Sequence, residues 1–124
     1  MSIERKLAAI MFTDIAGYTA QMSKDEDKAF ALIRKKRELL LPLIEQYEGK
    51  LIKEMGDGTL TRYFKADNAI DCASSFQAKT DSELNVRAGI HTGEVIVDNE
   101  DVFGDVVNVA SRLESIAVPG SVLV

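Results

Sequence analysis

Asp14 and Asp57 are the two residues whose type and position best suit chemistry. Asp14 follows the short apolar run at residues 7–12, which is typical of a buried strand, and Asp57 lies between Gly56 and Gly58. Each carboxylate is therefore expected at a strand end with little side-chain bulk around it. Carboxylate oxygens are hard ligands suited to Mg²⁺, and a pair of such ions can activate a hydroxyl and steady a leaving phosphate. Both aspartates could instead serve turns, where Asp is common.

The stretch around Asp14 also suits phosphate binding. Residues 13–17, TDIAG, combine polar side chains with a glycine and so predict a tight turn. Such a turn presents free backbone N–H groups, and these attract phosphate oxygens.

Length and charge restrict the class of protein. The chain has 124 residues, with 46% hydrophobic and 28% charged residues, which predicts one globular, soluble domain over residues 1–124. Its formal net charge is −5, so counterion release offers it no gain on nucleic acid, and a DNA or RNA partner is disfavoured. A metal cation could still bring an anionic substrate to an acidic protein.

The single cysteine, Cys72, excludes an intrachain disulfide framework and fits a reducing cytoplasm. No apolar run approaches the length of a membrane span. Residues 1–6 are charged and lead into a short strand rather than a signal peptide. A cytoplasmic location is therefore expected.

The elements that position these residues follow from hydrophobic periodicity. After the strand at residues 7–12, Ser23 and Glu26 form a capping-box pattern, which predicts a long helix over residues 24–47. Pro42 falls inside that helix and is expected to kink or break it. Two strands around Gly-Asp-Gly then predict a hairpin with Asp57 at its tip.

The whole chain predicts the element order β, α, β, β, α, β, β, α, β. After the first helix, the segments are strands 50–55 and 59–64, a helix over 65–79, a strand over 84–91 that turns at 92–93 into a second hairpin with 94–97, a helix over 105–117, and a strand over 121–124. A mostly antiparallel sheet covered by helices on one face is the economical α+β arrangement. The chain stops inside an apolar run, which predicts a fragment of a longer protein.

Four blocks of sequence resemble, in the family's order, the motifs of class III nucleotidyl cyclases. They are FTDIAGYT at residues 12–19, KEMGDG at 53–58, RAGIHTG at 87–93 and FGDVVNVASR at 103–112. Together they cover nearly the whole chain and are highly specific. The resemblance to the bacterial type of this family implies a ferredoxin-like βαββαβ core, a mostly antiparallel sheet flanked by helices.

The resemblance implies a role for the metal and phosphate residues. Asp14 and Asp57 would hold two ions, Mg²⁺ or Mn²⁺, with help from the Ile15 carbonyl. Arg87 stands where the family often places a phosphate-contacting arginine. The backbone amides expected to cradle the phosphates are those of Ile15, Ala16, Gly17 and Tyr18.

The resemblance also implies which residues read the substrate. Lys53 and Asp101 match the purine-reading pair, and a lysine donor beside an aspartate acceptor suits adenine rather than guanine. Guanylate cyclases of the family usually carry glutamate where Lys53 stands. Asn108 would orient the ribose, and Arg112 would stabilise charge on the transferring α-phosphate. By themselves these four residues also fit a solvated strand, an exposed turn and a solvated helix face.

The reaction implied is the conversion of ATP to cyclic AMP and pyrophosphate, with a metal rather than a histidine activating the 3′-hydroxyl. We therefore interpret His91 as a structural residue at a strand end, and Cys72 as an inert core residue. Family members work as head-to-tail dimers, in which one subunit supplies the metal aspartates and the other the purine, ribose and α-phosphate residues. This chain carries both sets, which predicts a homodimer with two equivalent sites.

Departures from the family pattern leave alternatives open. The family's domain continues through another helix and a final hairpin, which carries a lysine for the triphosphate, and no residue here takes that role. The stretch between Gly93 and Gly104 is short, so Asp98 or Glu100 could stand in place of Asp101. The short form is similar to bacterial cyclases with further C-terminal domains. A catalytically silent nucleotide-binding module and a guanylate cyclase are the alternative functions.

Overall fold

Six strands and four helices make up residues 3–98 and 101–124, the part of the chain that this computed structural model describes. In order they are β1 (Ile3–Ile15), α1 (Tyr18–Lys24), α2 (Glu26–Gln46), β2 (Lys50–Met55), β3 (Gly58–Tyr63), α3 (Ala66–Lys79), β4 (Val86–Asp98), β5 (Asp101–Phe103), α4 (Asp105–Ile116) and β6 (Val122–Leu123). The predicted sequence of element types recurs once the additional short helix α1 is set aside. The strands predicted at 84–91 and 94–97 are, however, parts of the single strand β4, and β5 was not predicted.

The strands form one sheet in the order β2-β3-β1-β4-β5, and β6 pairs with β4 outside that path. Only the β4–β6 pair is parallel among the described strands, so the mostly antiparallel sheet is confirmed. The central strand β1 pairs with β4 from Ile3 opposite Asp98 to Ile15 opposite Val86. This long ladder places the end of β1 beside the start of β4.

Helices cover both faces of the sheet, and the expectation of one covered face is wrong. Ala9 and Met11 of β1 belong to the core cluster formed with α2 and α3. The alternate residues Ala8 and Ile10 belong to a second cluster formed with α4. The continuous apolar run at residues 7–12 already indicates this, because a strand buried on both faces has no polar alternation.

The long helix α2 begins at a different cap from the one predicted. Asp25 is the N-cap, with extended backbone angles, and its carboxylate accepts the Lys28 N–H at 3.1 Å. Ser23 lies in the last turn of α1, so its capping box with Glu26 does not form. The helix also continues through Pro42 without the break that proline suggested.

The second predicted hairpin, at residues 92–93, does not exist, because β4 runs unbroken through them. Two glycines of β4, Gly89 and Gly93, allow the strand to pack closely against α4. A Cβ on Gly93 would lie 2.6 Å from Cγ2 of Val106, and one on Gly89 would lie 2.2 Å from the backbone nitrogen of Glu114. His91 therefore lies within β4 and not at a strand end.

Cys72 lies on the buried side of α3, fully enclosed in the core as predicted, and the Tyr63 hydroxyl donates to its Sγ at 3.3 Å. Burial raises the pKa of this thiol, which keeps it protonated and unreactive. No helix in the described ranges has the length and apolar character needed to cross a membrane.

Candidate active site

The end of β1 and the tip of the β2–β3 hairpin bring Asp14 and Asp57 together. The hairpin reaches this position because β3 pairs with β1, with Thr59 opposite Thr13. Across the gap, the Ile15 N–H donates to Oδ2 of Asp57 at 2.9 Å. The two aspartates predicted from the sequence therefore lie at the same end of neighbouring strands. The backbone next to Asp14 is hydrogen-bonded to the Asp57 carboxylate.

Arg87 binds the carboxylate of Asp14 from the neighbouring strand. The two residues face each other in the β1–β4 ladder, and the guanidinium donates to both carboxylate oxygens, at 2.9 Å from Nε and 2.5 Å from Nη2. Its Nη1 donates to the Ser115 carbonyl at 3.2 Å, at the end of α4. The family resemblance implies a phosphate contact for Arg87, and the structure shows that Arg87 also binds Asp14.

Glu114 of α4 completes this group of charges and was missed in the sequence. Burial, followed by the proximity of Asp14, raises the pKa of Glu114 to about 8. Burial also acts to raise the pKa of Asp14, but hydrogen bonds from Arg87 and the proximity of Glu114 outweigh it, and the pKa falls below its usual value. Near neutral pH a protonated Glu114 thus supports an ionised Asp14.

A second missed residue, Lys36 of α2, lies beneath the same two strand ends. Its side chain is only 2% exposed, and burial lowers its pKa to about 8. The signal was its spacing, because Lys36 continues the series of Leu32, Leu40 and Ile44 on the core-facing side of the helix. A charged residue at such a position is buried only when specific partners accept its hydrogen bonds.

The donor set fits a divalent metal that arrives with a nucleotide. Asp14 and Asp57 offer hard carboxylate oxygens, and Mg²⁺ is commonly held by one or two carboxylates together with substrate phosphates and waters. Over the described residues, no group of three His, Cys, Asp or Glu side chains is placed to hold a metal. Asp14 and Asp57 would therefore form only part of a coordination sphere, and both Asp14 oxygens accept hydrogen bonds from Arg87.

Two of the four amides predicted to cradle phosphate are already engaged. Besides the Ile15 N–H on Asp57, the Ala16 N–H donates to the Asn85 carbonyl at 2.7 Å. The expected cradle is therefore reduced to the amides of Gly17 and Tyr18 at the start of α1. Gly17 has a φ of 73°, a left-handed conformation that favours glycine. A cavity of about 370 Å³ lies against this turn.

The structure brings the two predicted purine readers together. Lys53 Nζ lies 3.4 Å from Oδ1 of Asp101, and both side chains are about two-fifths exposed. Their strands, β2 and β5, are at opposite ends of the strand order, yet Val102 of β5 belongs to the core cluster against which Ile52 of β2 packs. Shared packing on that cluster brings the two strands close enough for the ion pair.

The structure favours Asp101 over Asp98 as the partner of Lys53. Asp98 ends β4 and pairs with Asp101 in the ladder, while the ion pair of Lys53 is made with Asp101. Glu100 lies outside the described residues.

Asn108 and Arg112 lie on the exposed side of α4. The residues of α4 that are buried are Val106, Ala110 and Glu114, which share the opposite side. Within residues 3–98 and 101–124, no hydrogen bond or ion pair joins Asn108 or Arg112 to the two aspartates. These two predicted residues are therefore presented outward, apart from the aspartates of their own chain.

Comparison with known proteins identifies relatives of the chain. A model of the adenylate and guanylate cyclase catalytic domain matches residues 3–124. The chain is 37% identical to putative adenylate cyclase 3 of Rhizobium meliloti, over 99% of this chain and 23% of that protein. It is 32% identical to an adenylate cyclase of Streptomyces coelicolor, over 98% of this chain and 33% of that protein. The chain thus spans a third or less of the length of these curated relatives.

Solved structures share the fold. An adenylate/guanylate cyclase/hydrolase from Silicibacter pomeroyi superimposes with a TM-score of 0.87 at 37% identity, over 98% of this chain and 76% of that one. The catalytic core of a rhodopsin-guanylyl cyclase with converted specificity, in complex with ATPαS, gives a TM-score of 0.85 at 22% identity, over 98% of this chain and 78% of that one. The second likeness supports the fold alone.

Proposed function

The chain belongs to the adenylate and guanylate cyclase catalytic domain family, and from that premise we propose that it is an adenylate cyclase, converting ATP to 3′,5′-cyclic AMP and pyrophosphate. The choice of ATP depends on the Lys53–Asp101 pair, whose charged atoms lie 3.4 Å apart. Lysine can donate to adenine N1 while aspartate accepts from the exocyclic amine, and guanine presents the reverse polarity. The names of the rhizobial and streptomycete relatives support the same choice.

Asp14 and Asp57, with the Ile15 carbonyl, would hold two Mg²⁺ or Mn²⁺ ions. When bound, such ions lower the pKa of a nucleophilic hydroxyl and stabilise negative charge on a leaving pyrophosphate. The Ile15 N–H bond to Asp57, at 2.9 Å, orients that carboxylate before any ligand binds. Preorganisation of this kind is how an active site avoids reorganising during the reaction.

Arg87 is well placed to exchange one anion for another. Its guanidinium donates two hydrogen bonds to Asp14, and a planar guanidinium can also bind two phosphate oxygens at once. We expect Arg87 to move from Asp14 to the triphosphate when the nucleotide enters with its metal. The contact from Arg87 to the Ser115 carbonyl keeps the guanidinium at this edge of the sheet.

The outward position of Asn108 and Arg112 supports a head-to-tail homodimer. On α4 they share one exposed side, opposite the side that packs on the sheet. A second copy of the chain would accept them at its own aspartates, Asn108 orienting the ribose and Arg112 stabilising charge on the α-phosphate. Two equivalent sites follow from the two-fold symmetry of such a dimer. A cytoplasmic location fits the free, buried Cys72 thiol.

The experiment that tests this function compares ATP and GTP side by side with the purified protein, in Mn²⁺ and in Mg²⁺. Cyclic nucleotide products are separated by chromatography. We expect cyclic AMP to exceed cyclic GMP by about tenfold or more, since a lost or mismatched hydrogen bond to a base costs about 1–3 kcal/mol. Lys53→Glu should shift the preference toward GTP.

Two results would oppose the proposal. Equal or greater production of cyclic GMP would make the chain a guanylate cyclase. Metal-dependent binding of ATP without any cyclic product would instead identify a nucleotide-binding module that does not turn over.

A further inference from the structure

Lys36 is a buried cation whose three hydrogen bonds all go to the segments that carry the two aspartates. Its Nζ donates to the Thr13 carbonyl at 3.1 Å, to the Asp57 carbonyl at 2.5 Å and to Oγ1 of Thr59 at 3.0 Å. An ammonium group has three donors, so its hydrogen-bonding capacity is completely used.

The acceptors of Lys36 belong to two separate parts of the chain. Thr13 immediately precedes Asp14 in β1, whereas Asp57 and Thr59 belong to the tip of the β2–β3 hairpin and the start of β3. One side chain from α2 therefore joins the backbone next to the first aspartate to the backbone of the second. With the Ile15 N–H bond to Asp57 Oδ2, the strand end and the hairpin tip are joined twice.

We propose that Lys36 is a positioning residue, which sets the spacing of the Asp14 and Asp57 carboxylates by clamping the two backbones that carry them. The inference rests on the proposed metal-binding role of those aspartates. Lys36 points at carbonyl and hydroxyl oxygens and acts on the metal through the geometry of the aspartates. Residues that orient metal ligands in this way typically change metal affinity or activity by about 10–100-fold when mutated.

A positioning role and a purely electrostatic role for Lys36 predict opposite changes in metal affinity when the lysine is replaced. The positive charge of Lys36 lies near both carboxylates, so its removal would by itself strengthen the binding of a cation. Loss of the clamp would weaken binding, because the two carboxylates would no longer be held at a fixed spacing. The direction of the change in metal affinity therefore identifies the role.

The test compares Lys36→Met with Lys35→Met in the full chain. Methionine keeps most of the length and volume of lysine and removes the donors. Lys35 is the adjacent residue of the same helix and makes only a half-exposed ion pair with Asp81, at 2.9 Å. Mn²⁺ binding is measured by electron paramagnetic resonance in the presence of 3′-deoxy-ATP, which lacks the attacking hydroxyl. Amide hydrogen exchange of residues 55–59 is measured in metal-free protein.

For folded Lys36→Met we expect Mn²⁺ affinity to fall about tenfold or more, with loss of exchange protection at residues 55–59. Lys35→Met should match the wild type in both measurements. Unchanged or tighter Mn²⁺ binding by folded Lys36→Met would overturn the proposal. Asp57→Ala distinguishes failure of the Lys36 proposal from failure of the proposed metal site. Normal Mn²⁺ binding by that variant would refute the metal assignment itself.

Lys36→Gln, which keeps a shorter donor, replaces Lys36→Met if the latter does not fold. It is held to the same two measurements and the same expected losses. If both Lys36 variants fail to fold while Lys35→Met folds, Lys36 has a structural role alone and the proposal is wrong.

Discussion

Arg87 holds both carboxylate oxygens of Asp14, with Nε 2.9 Å from Oδ1 and Nη2 2.5 Å from Oδ2. The side chains are only 27% and 18% exposed respectively, so water screens this ion pair less than one at the open surface. A carboxylate bound in this way has few lone pairs left for a metal. Metal binding at Asp14 and release of Arg87 are therefore expected to be coupled.

Replacement of Arg87 should separate metal binding from turnover. Arg87→Gln removes a competitor for Asp14, so Mn²⁺ affinity without nucleotide should rise by about twofold to fivefold, the order of one ion pair. The same change removes the phosphate contact, so kcat/KM for ATP should fall by about tenfold or more. Calorimetric titration with Mn²⁺ and a steady-state assay measure the two effects.

Arg5→Gln is the matched control for this prediction, because Arg5 makes an exposed ion pair with Glu94 at 3.2 Å on the same ladder. It should leave both quantities unchanged. Weaker Mn²⁺ binding by Arg87→Gln would show that Arg87 assists the metal and does not compete with it.

Removal of the Asp57 carboxylate should abolish turnover without unfolding the protein. Asp57→Ala loses a proposed metal ligand, so kcat should fall by at least about a hundredfold. The hairpin should persist, since the Asp57 carbonyl still accepts from Lys36. Circular dichroism and a cyclic AMP assay report fold and activity. Asp81→Asn, in an exposed loop, is the control, and a folded Asp57→Ala protein with normal turnover would contradict the metal assignment.

Two inactive variants should restore activity when they are mixed. Asp57→Ala damages the aspartate half of each proposed site, and Arg112→Ala damages the half contributed by α4. In a head-to-tail dimer, each mixed pair has one intact site and one doubly damaged site. An equal mixture that exchanges subunits freely should therefore reach about a quarter of wild-type activity, since half of the dimers are mixed and each has one of two sites.

The measurement is a cyclic AMP assay of each variant alone and of the mixture after subunit exchange. A mixture that stays inactive, despite exchange shown by labelled subunits, would mean that each site is built within one chain. Two folded Arg112→Ala subunits with normal turnover would remove Arg112 from the site altogether.

Local sequence patterns predicted the positions of Asp14 and Asp57 well, because a strand end and a hairpin tip are both determined by neighbouring residues. An apolar run ending just before Asp14 and the Gly-Asp-Gly around Asp57 indicate a strand end and a hairpin tip, and antiparallel pairing brings such ends together. The pairing of Lys53 with Asp101 could be expected only from the family resemblance. β2 and β5 lie at opposite ends of the strand order, and they approach each other only through packing on a shared core cluster.

Tertiary contacts account for what the sequence left out. Lys36 and Glu114 are ionisable residues that become buried in the folded chain. Burial of Lys36 depends on acceptors in β1 and the β2–β3 hairpin, and burial of Glu114 depends on a raised pKa beside Asp14. Gly89 and Gly93 allow α4 to approach β4 closely, whereas glycine next to threonine in isolation is typical of a turn. The second covered face of the sheet also depends on tertiary contacts, because α4 packs against β1 and β4.

Glu114 should make the stability of the metal-free protein depend on pH. Its pKa is raised from 4.5 to about 8 in the folded protein, mainly by burial and then by Asp14. The folded state therefore binds more protons than the unfolded state between these values. Linkage then requires that the stabilisation from protonated Glu114 is fully present below pH 4.5 and is lost as the pH rises through about 8.

Glu114→Gln replaces the protonated carboxyl with a neutral amide of similar size that cannot ionise, so it should lose this dependence. Urea unfolding in EDTA, at several pH values from 4.5 to 8, measures the free energy of unfolding of both proteins. We expect the variant to gain stability relative to the wild type as the pH rises. Glu38→Gln, on the exposed side of α2, should follow the wild type throughout. Parallel curves for Glu114→Gln and the wild type would show that the pKa of Glu114 is not raised in the folded protein, and would contradict the prediction.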